Sequence, residues 1–199
     1  MATRAYHHGN LRAALLEQAE QSVRMQGVDR LSLRELARQV GVSHAAPRRH
    51  FPDRQALLNA LAEVGFTRLG AELRQAMDQA GEQFEARLLA TANAYVRFAT
   101  RDAALLELMF AGKYNEPSAA VQEAALGALS VLLELVEQGQ AEGVLEPGEP
   151  GRVGLVLLAT VQGIAAVVNG GIVDGSQSEA LVADAITLFT SRSRGTRSG

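Results

Sequence analysis

The fold of this chain is decided by residues 32–51, which read SLRELARQVGVSHAAPRRHF. Leu36 and Val40 recur at the spacing of one helix face, which predicts a short helix in the first half of this stretch. Ser32 and Glu35 stand three residues apart at its start. This is the pattern of a capping box, in which each side chain bonds to the backbone N–H of the other residue, and we expect it to begin the helix.

A tight turn separates this helix from the next one. Gly41 permits the sharp change of direction, and Ser43 is a second N-cap, so another helix is predicted from His44 to about His50. The small side chain of Ala37 fits the place where the two helices cross. Two short helices joined in this way form a helix-turn-helix, whose second helix enters the major groove of DNA.

The rest of the chain also reads as helix, because apolar residues recur at every third or fourth position. We predict an all-α fold of about nine helices, with a three-helix helix-turn-helix domain over 7–66 and a helical domain over 67–192. We expect a disordered tail over 193–199. The predicted helices cover residues 10–26, 33–40, 44–50, 54–80, 82–100, 102–110, 118–142, 152–168 and 178–192.

Charge is distributed unevenly along the 199 residues, although the net charge is only −3. Residues 1–55 carry nine arginines and five acidic residues, whereas residues 56–191 carry seven basic and 17 acidic residues. A basic head on an acidic body indicates a polyanionic partner at one end of the molecule.

Several functions are excluded by what the sequence lacks. It has no cysteine, no glycine-rich phosphate loop and no serine in a nucleophile-elbow context. The pairs His7-His8 and His44/His50 do not form a metal set, because a spacing of six puts ligands on different helix faces. We therefore expect a protein that is not an enzyme, with no catalytic residues, no metal and no cofactor.

The sequence predicts neither a secretory signal nor a membrane span. Residues 1–9 are polar, and the longest apolar stretch, 153–168, contains Gln162 and falls short of the roughly 20 residues that a span needs. The expected location is the cytoplasm, in association with the nucleoid.

The basic head resembles the TetR family of bacterial transcriptional regulators. The match covers about the first 65 residues, while the remainder is similar only in its helical character. The resemblance implies a homodimer that binds a palindromic operator in double-stranded DNA and responds to a small-molecule effector, acting as a repressor. The residues that carry it are Leu15-Leu16, Ala19, Gly27, Ser32 to Ala37, Gly41 to Ser43, His50-Phe51 and Arg54 to Leu58.

Two residues depart from the usual pattern of that family. Pro47 stands where an aliphatic residue is usual, and Arg48 stands where a tyrosine is usual. Pro47 falls about four residues after the Ser43 cap, where a proline is tolerated and can change the tilt of the helix. These departures leave an alternative open, a helical ligand- or partner-binding module whose helix-turn-helix no longer binds DNA.

The motif and the resemblance together assign the DNA contacts. Residues in the first turn of the second helix would read bases, arginines would contact phosphate or guanine, and His50 would contact phosphate. The structural alternatives are helix caps for the serines, helix preference for the alanines, solvent exposure or ion pairs for the arginines and an internal hydrogen bond for His50. The expected contacts are Ser32, Arg34, Ser43, His44, Ala45, Ala46, Arg48, Arg49, His50 and Arg54, with Phe51 assigned to packing.

The segment 152–168 is too apolar for a surface helix of a monomer. Together with the last helix it predicts a four-helix interface across a two-fold axis, as the family uses the equivalent helices, and an intramolecular core is the alternative. The expected interface residues are Gly154, Leu158, Gly163, Val167, Leu181, Ala185 and Leu188.

The helices between residues 54 and 142 would then enclose the effector. An apolar lining suits a small apolar molecule, and ordinary core packing is the alternative for every lining residue. The expected lining residues are Phe66, Leu69, Leu73, Phe84, Leu88, Tyr95, Met109, Phe110, Leu129 and Leu133, with Asn93, Tyr95, Arg97 and Tyr114 as candidate polar anchors.

Overall fold

A computed structural model describes residues 11–110 and 117–195, with side chains described up to residue 190. These residues form eight α-helices and no β-strand, which confirms the all-α prediction with one α-helix fewer than expected. The helices are α1 (Leu11–Gln26), α2 (Leu33–Val40), α3 (Arg54–Gln79), α4 (Phe84–Arg101), α5 (Ala103–Phe110), α6 (Ala119–Ala141), α7 (Pro150–Asn169) and α8 (Ser178–Gly195).

The described chain divides into two compact units. The first contains residues 11–65 together with 104–110 and 117–122, and the second contains residues 66–103 and 123–195. The division between residues 65 and 66 falls inside α3, next to the domain boundary expected from the sequence. Most of α5, which the sequence assigned to the second domain, belongs to the first unit.

In the first unit, α1 and α2 pack against each other through small and aliphatic side chains. Leu15 and Ala19 of α1 are completely buried, as are Leu36 and Ala37 of α2. Gly41 follows α2 in the left-handed conformation, with φ 77°, and its N–H bonds back to the Ala37 carbonyl. Because a side chain is strained in that conformation, glycine fixes the direction in which the chain leaves α2.

The capping box predicted at the start of α2 is wrong. Ser32 is the N-cap residue, but its side chain makes no cap hydrogen bond. The Glu35 carboxylate accepts hydrogen bonds from Arg38 and Gln39 on the next turn instead. A charged arginine is a stronger donor to a carboxylate than a backbone N–H, so this pairing replaces the expected one. The Ser32 hydroxyl is left at the surface.

The α-helix predicted over 44–50 is also wrong. A turn and then a 3₁₀ helix, Pro47–Arg49, form there. The N–H of Ala46 bonds to the carbonyl of Ser43, three residues earlier rather than four. An α-helix would need residue 47 to donate to the Ser43 carbonyl, but Pro47 has no N–H and its ring crowds that carbonyl.

In the second unit, α4 packs against α7 and α8. Phe84, Leu88 and Phe98 of α4 are buried in the core of this unit. A Cβ at Gly139 of α6 would lie 2.4 Å from the Phe84 ring, so the absence of a side chain at Gly139 permits this close approach. The buried face of α4 is therefore held on several sides within its own unit.

The start of α7 lies two residues earlier than predicted. Pro150 is the first helical residue, where its missing N–H costs nothing. The Glu149 carboxylate caps the helix by accepting hydrogen bonds from the N–H groups of Gly151 and Arg152. The other predicted helix ends agree within two residues, except that α8 continues to Gly195. Residues 193–195 of the expected disordered tail are therefore helical, and 196–199 lie outside the described residues.

Two described helices, α6 and α7, are long and apolar enough to cross a membrane when judged by length and composition alone. α7 is longer than the apolar stretch 153–168 because the helix also includes Pro150, Gly151, Arg152 and Asn169. Core helices of soluble proteins meet the same criterion.

Candidate nucleic-acid interface

The helix-turn-helix region presents polar side chains to solvent around its turn. The turn follows α2, and the 3₁₀ helix follows the turn, so one continuous stretch carries most of the residues expected to contact DNA. Of these, Ala46 is half-buried, and the exposed ones are Ser32, Arg34, Ser43, His44, Ala45, Arg48, Arg49 and His50.

The segment that carries the two arginines is anchored at both ends. Pro47 is buried, and Phe51 is only 2% exposed. The guanidinium of Arg12 lies 5.6 Å from the centre of the Phe51 ring, which is the distance of a cation–π contact. Burial of Phe51 agrees with its assignment to packing. Arg48 and Arg49 lie between these anchors and are exposed on a fixed segment of chain.

The two arginines of α2 differ in their availability. Arg38 Nε donates a 2.9 Å hydrogen bond to Glu35 Oε2, and this bond lowers the pKa of the Glu35 carboxyl. Arg34 is exposed and has no ion-pair partner among the described residues. Arg34 is therefore more available than Arg38 to bind a phosphate, and its contact with DNA stays a prediction.

The guanidinium of Arg54 is engaged within the fold. Arg54 Nε donates to the Leu31 carbonyl at 3.1 Å, and Arg54 Nη2 donates to the Val28 carbonyl at 2.6 Å. Arg54 is half-buried and therefore joins the first turn of α3 to the chain that leads into α2. The sequence offered a phosphate contact or a surface ion pair for this residue, and these contacts favour a positioning role instead.

Replacing Arg54 with alanine should destabilise the protein by about 2–3 kcal/mol. The change removes both hydrogen bonds, each from a charged donor, and leaves the Val28 and Leu31 carbonyls without them. Urea denaturation measures the loss, with Arg34→Ala as the control, since an exposed arginine should change stability by less than about 0.5 kcal/mol. Equal stability of Arg54→Ala and the parent would contradict the positioning role.

A second surface lies on α7 and α8 and is apolar. Leu155 and Val156 of α7 are 60% and 50% exposed, and Leu188 of α8 is 71% exposed. Leu155 continues along one face of α7 through Ala159, Gly163 and Ala166, all of them exposed. We call these four residues the α7 stripe.

The predicted interface residues fall on two sides of these helices. Gly163 and Leu188 are exposed, and Leu158, Val167, Leu181 and Ala185 are half-buried. Gly154 is buried instead, since a Cβ there would lie 3.6 Å from Leu132 of α6 in the same chain. Leu155, Val156, Ala159 and Ala166 were not in the predicted set.

The predicted effector-lining residues are mostly core. Asn93 is half-buried and Arg97 is exposed, while Tyr114 lies outside the described residues, as do the arm residues Tyr6, His7 and His8. Met109 and Phe110 belong to the first unit, where Met109 is buried and Phe110 is 45% exposed. In the second unit, Phe66, Leu69, Leu73, Phe84, Leu88 and Tyr95 are buried, and Leu129 and Leu133 are half-buried.

Tyr95 is the candidate anchor that is fully enclosed. Burial raises the pKa of its phenol to about 12, while the polar side chain of Gln162, close to the phenolic oxygen, lowers the pKa. Gln162 does not reach hydrogen-bond geometry, and the phenolic oxygen has no hydrogen-bond partner within the described chain. Thr91, one turn earlier on α4, is also buried with an unpartnered hydroxyl, and no sequence pattern around it indicates this.

Alkaline pH should reveal the burial of Tyr95. The folded state holds the phenol proton up to about pH 12, whereas the unfolded chain releases it near pH 10. The stabilisation is complete below pH 10 and disappears as the pH rises to about 12, which costs about 2 kcal/mol. Denaturation of the parent and of Tyr95→Phe from pH 9 to 12 measures this pH-dependent loss of unfolding free energy. Only the parent should show the loss, because phenylalanine has no phenol to titrate. Parallel profiles would contradict the raised pKa.

The described residues thus define the class of the protein, a helix-turn-helix protein with an all-helical second unit. Family comparisons agree with this class. Bacterial regulatory proteins of the tetR family match residues 15–61, and the tetracyclin repressor-like C-terminal domain matches residues 88–189. The second match alone covers more than half of the chain. The chain belongs to the tetR family, which confirms the resemblance seen in the sequence.

Solved structures are similar over nearly the whole chain. A protein of unknown function from Rhodococcus sp. RHA1 is 45% identical, with a TM-score of 0.85 over 97% of this chain and 98% of that one. A putative TetR-family transcriptional regulator from Rhodococcus sp. is 19% identical, with a TM-score of 0.71 over 90% and 97%. The fatty acid degradation regulator FadR from Bacillus halodurans is 18% identical, with a TM-score of 0.74 over 92% and 95%. The last two show the shared fold. No curated protein sequence matches the chain.

Proposed function

We propose that this protein is a ligand-responsive repressor that binds a palindromic DNA operator as a homodimer. The observation that carries the proposal is the exposed, anchored segment with Arg48, Arg49 and His50 next to the turn of the helix-turn-helix. In this role the protein binds DNA and a ligand without catalysing a reaction, and it works in the cytoplasm at the nucleoid. The partners are double-stranded DNA, a second copy of the chain and a small molecule.

Electrostatics supports the choice of DNA. Besides its exposed arginines, the helix-turn-helix region exposes Ser32, whose hydroxyl makes no cap hydrogen bond, and Ser43, and both hydroxyl groups can donate to phosphate oxygens. Arg48 and Arg49 can bind phosphate or, in a bidentate manner, guanine. Ala45 is exposed and small enough to contact a thymine methyl group.

The apolar surface on α7 and α8 supports the homodimer. Large apolar side chains at 50–71% exposure are costly in a soluble monomer and are covered when two copies meet. The small residues of the α7 stripe let two helices approach closely. In an isologous dimer the stripe meets its own copy, and the two helix-turn-helix motifs read the two halves of a palindrome.

The proposed response to the effector is a thermodynamic coupling between ligand binding and operator binding. α3 runs without interruption from Arg54 to Gln79, with its first part in one unit and the rest in the other. A ligand that binds the second unit and favours one conformation of α3 changes operator affinity by the coupling free energy. A repressor of this kind releases DNA when the ligand binds.

The proposal is tested by selecting bound duplexes from a random DNA library with the purified full chain. A palindromic motif, bound by two protomers in sedimentation experiments, is the expected result. Affinity for the selected duplex should fall steeply with salt concentration, because phosphate contacts release counterions. Lack of enrichment at low salt, or a motif bound by one protomer, would overturn the operator and dimer parts respectively.

One observation favours a second candidate, a ligand- or partner-binding module that no longer binds DNA. The segment that would enter the major groove is a turn and a 3₁₀ helix, Pro47–Arg49, and not a longer α-helix. Such a module would bind duplex DNA weakly and without sequence preference. The same selection therefore discriminates between the two candidates.

A further inference from the structure

Two buried hydroxyl groups of α4 have no partner within the described chain. Thr91 and Tyr95 lie one helical turn apart and are 5% and 4% exposed. Neither Thr91 Oγ1 nor the Tyr95 hydroxyl makes a hydrogen bond in the described residues. Thr100 and Thr190, by contrast, donate to the carbonyls of Val96 and Ile186, four residues earlier. Buried hydroxyl groups in proteins are normally hydrogen-bonded, so this pair of hydroxyl groups without partners is unusual.

The charged groups at the end of α4 are already paired. Arg101 Nη2 lies 2.8 Å from Glu72 Oε1, and Arg101 Nε lies 2.7 Å from Asp102 Oδ2. Asp102, which is 3% exposed, also lies 3.4 Å from Arg68 Nη2. These groups compensate one another, and so they are not free to hold a charged ligand.

Arg87, one helical turn before Thr91, is paired in charge. Its Nη1 donates to Gln138 Oε1 and its Nη2 lies 3.7 Å from Glu134 Oε1, whereas its buried Nε has no hydrogen-bond partner. Among the described side chains, the buried neutral oxygen atoms without a partner are those of Thr91 and Tyr95. Both are hydroxyl groups, and at neutral pH both can donate a hydrogen bond.

The buried residues near these two positions along α4, and those of the α7 helix that packs against α4, are mainly apolar. They include Leu88 and Val96 on α4 and Leu157 and Ala165 on α7. The exception is Gln162 of α7, which lies beside the Tyr95 side chain and can donate or accept a hydrogen bond. Neutral polar groups between helices whose buried residues are mainly apolar match the usual composition of a site for a small organic molecule.

We propose that Thr91 and Tyr95 form the polar end of a ligand site, whose ligand is a neutral, mainly apolar molecule with one hydrogen-bonding oxygen. A carbonyl oxygen can accept from both hydroxyl groups, whereas a carboxylate would bring in a charge although Arg87 and Arg101 already face the carboxylates of Glu134, Glu72 and Asp102. This inference rests on the proposed function, because it assigns the chemistry of the effector to named atoms.

The first experiment compares three probes of equal chain length, decan-2-one, decanoate and decylammonium. Isothermal titration of the full chain without DNA at pH 7.5 measures each affinity. Decan-2-one should bind at least 10-fold more tightly than either charged probe. No binding of decan-2-one, or tighter binding of decanoate, would overturn the proposal.

Variants locate the site. Thr91→Val and Tyr95→Phe keep the shape of the side chains and should each weaken decan-2-one binding about 3- to 10-fold, with a larger loss in the double variant. Thr100→Val on the same helix is the matched control, because its hydroxyl is bonded to a carbonyl, and it should bind as the parent does. A double variant that melts cooperatively and binds decan-2-one as tightly as the parent would overturn the assignment.

Operator binding is measured separately, so that failure of one idea does not imply failure of the other. If decan-2-one binds through the two hydroxyl groups and leaves operator affinity unchanged, the ligand site stands and the repressor response proposed above fails. If the protein selects no operator but the probe results hold, the ligand site again stands and the DNA-binding role fails.

Discussion

Replacing Arg48 and Arg49 together with alanine should lower operator affinity at least about 100-fold and leave the fold intact. Both side chains are exposed, so their removal costs little stability. Contacts of an arginine to a base edge or phosphate contribute about 1–3 kcal/mol each, and a dimer loses four such side chains. Titration of the selected duplex with parent and variant measures the loss.

The salt dependence shows what the two arginines contact. If they bind phosphates, the slope of log affinity against log salt concentration should become shallower by about 2–4, since each contact contributes about 0.9. Arg97→Ala/Arg152→Ala is the matched control, because it removes the same charge at exposed positions of the second unit. An unchanged affinity of Arg48→Ala/Arg49→Ala would remove this segment from the interface, and an equal loss in the control would indicate a general charge effect.

The first helix and the turn of the helix-turn-helix could be predicted from sequence because their signals are local. Gly41 and the apolar spacing of α2 determine that helix and the turn after it, whatever surrounds them. The segment after the turn carried two opposing local signals, the Ser43 cap and Pro47. The missing N–H of Pro47 has the greater effect, because without it the first α-helical hydrogen bond does not form, and three-residue bonds replace it.

The role of Arg54 could not be predicted, because it depends on contacts across the fold. Its acceptors, the Val28 and Leu31 carbonyls, lie more than 20 positions away in the sequence. Nothing in the pattern around residue 54 indicates them. The unpartnered hydroxyl of Thr91 was missed for a similar reason. A threonine inside a helix usually bonds to its own backbone, and only the three-dimensional structure shows that this one does not.

The face that α7 presents could be predicted only roughly. The helix is apolar on nearly every side, so periodicity alone does not separate the inner face from the outer one. The sequence indicated an interface but included Gly154, which packs against Leu132 of the same chain. Exposure identifies the stripe of Leu155, Ala159, Gly163 and Ala166 instead.

Replacing Gly163 with glutamate should convert the dimer into a monomer. A Cβ added at Gly163 meets no atom within 4 Å in the protomer, so the side chain fits the isolated chain. In an isologous dimer, however, two carboxylates would be forced together where small residues allow close approach. Sedimentation equilibrium should show a dimer for the parent and a dissociation constant at least about 1000-fold higher for the variant.

Loss of the dimer should lower operator affinity about 100-fold or more, although Gly163 does not lie in the helix-turn-helix. A monomer binds only one half-site. In a dimer, binding of the first half-site holds the second helix-turn-helix at a high effective concentration near the other half-site, and the monomer loses this gain in affinity. Gly127→Glu on α6 is the matched control, because this helical glycine is exposed and also has open space around its Cβ position. It should dimerise and bind DNA as the parent does. A dimeric Gly163→Glu with full operator affinity would place the interface elsewhere, and the exposed leucines of α7 and α8 would then need another partner.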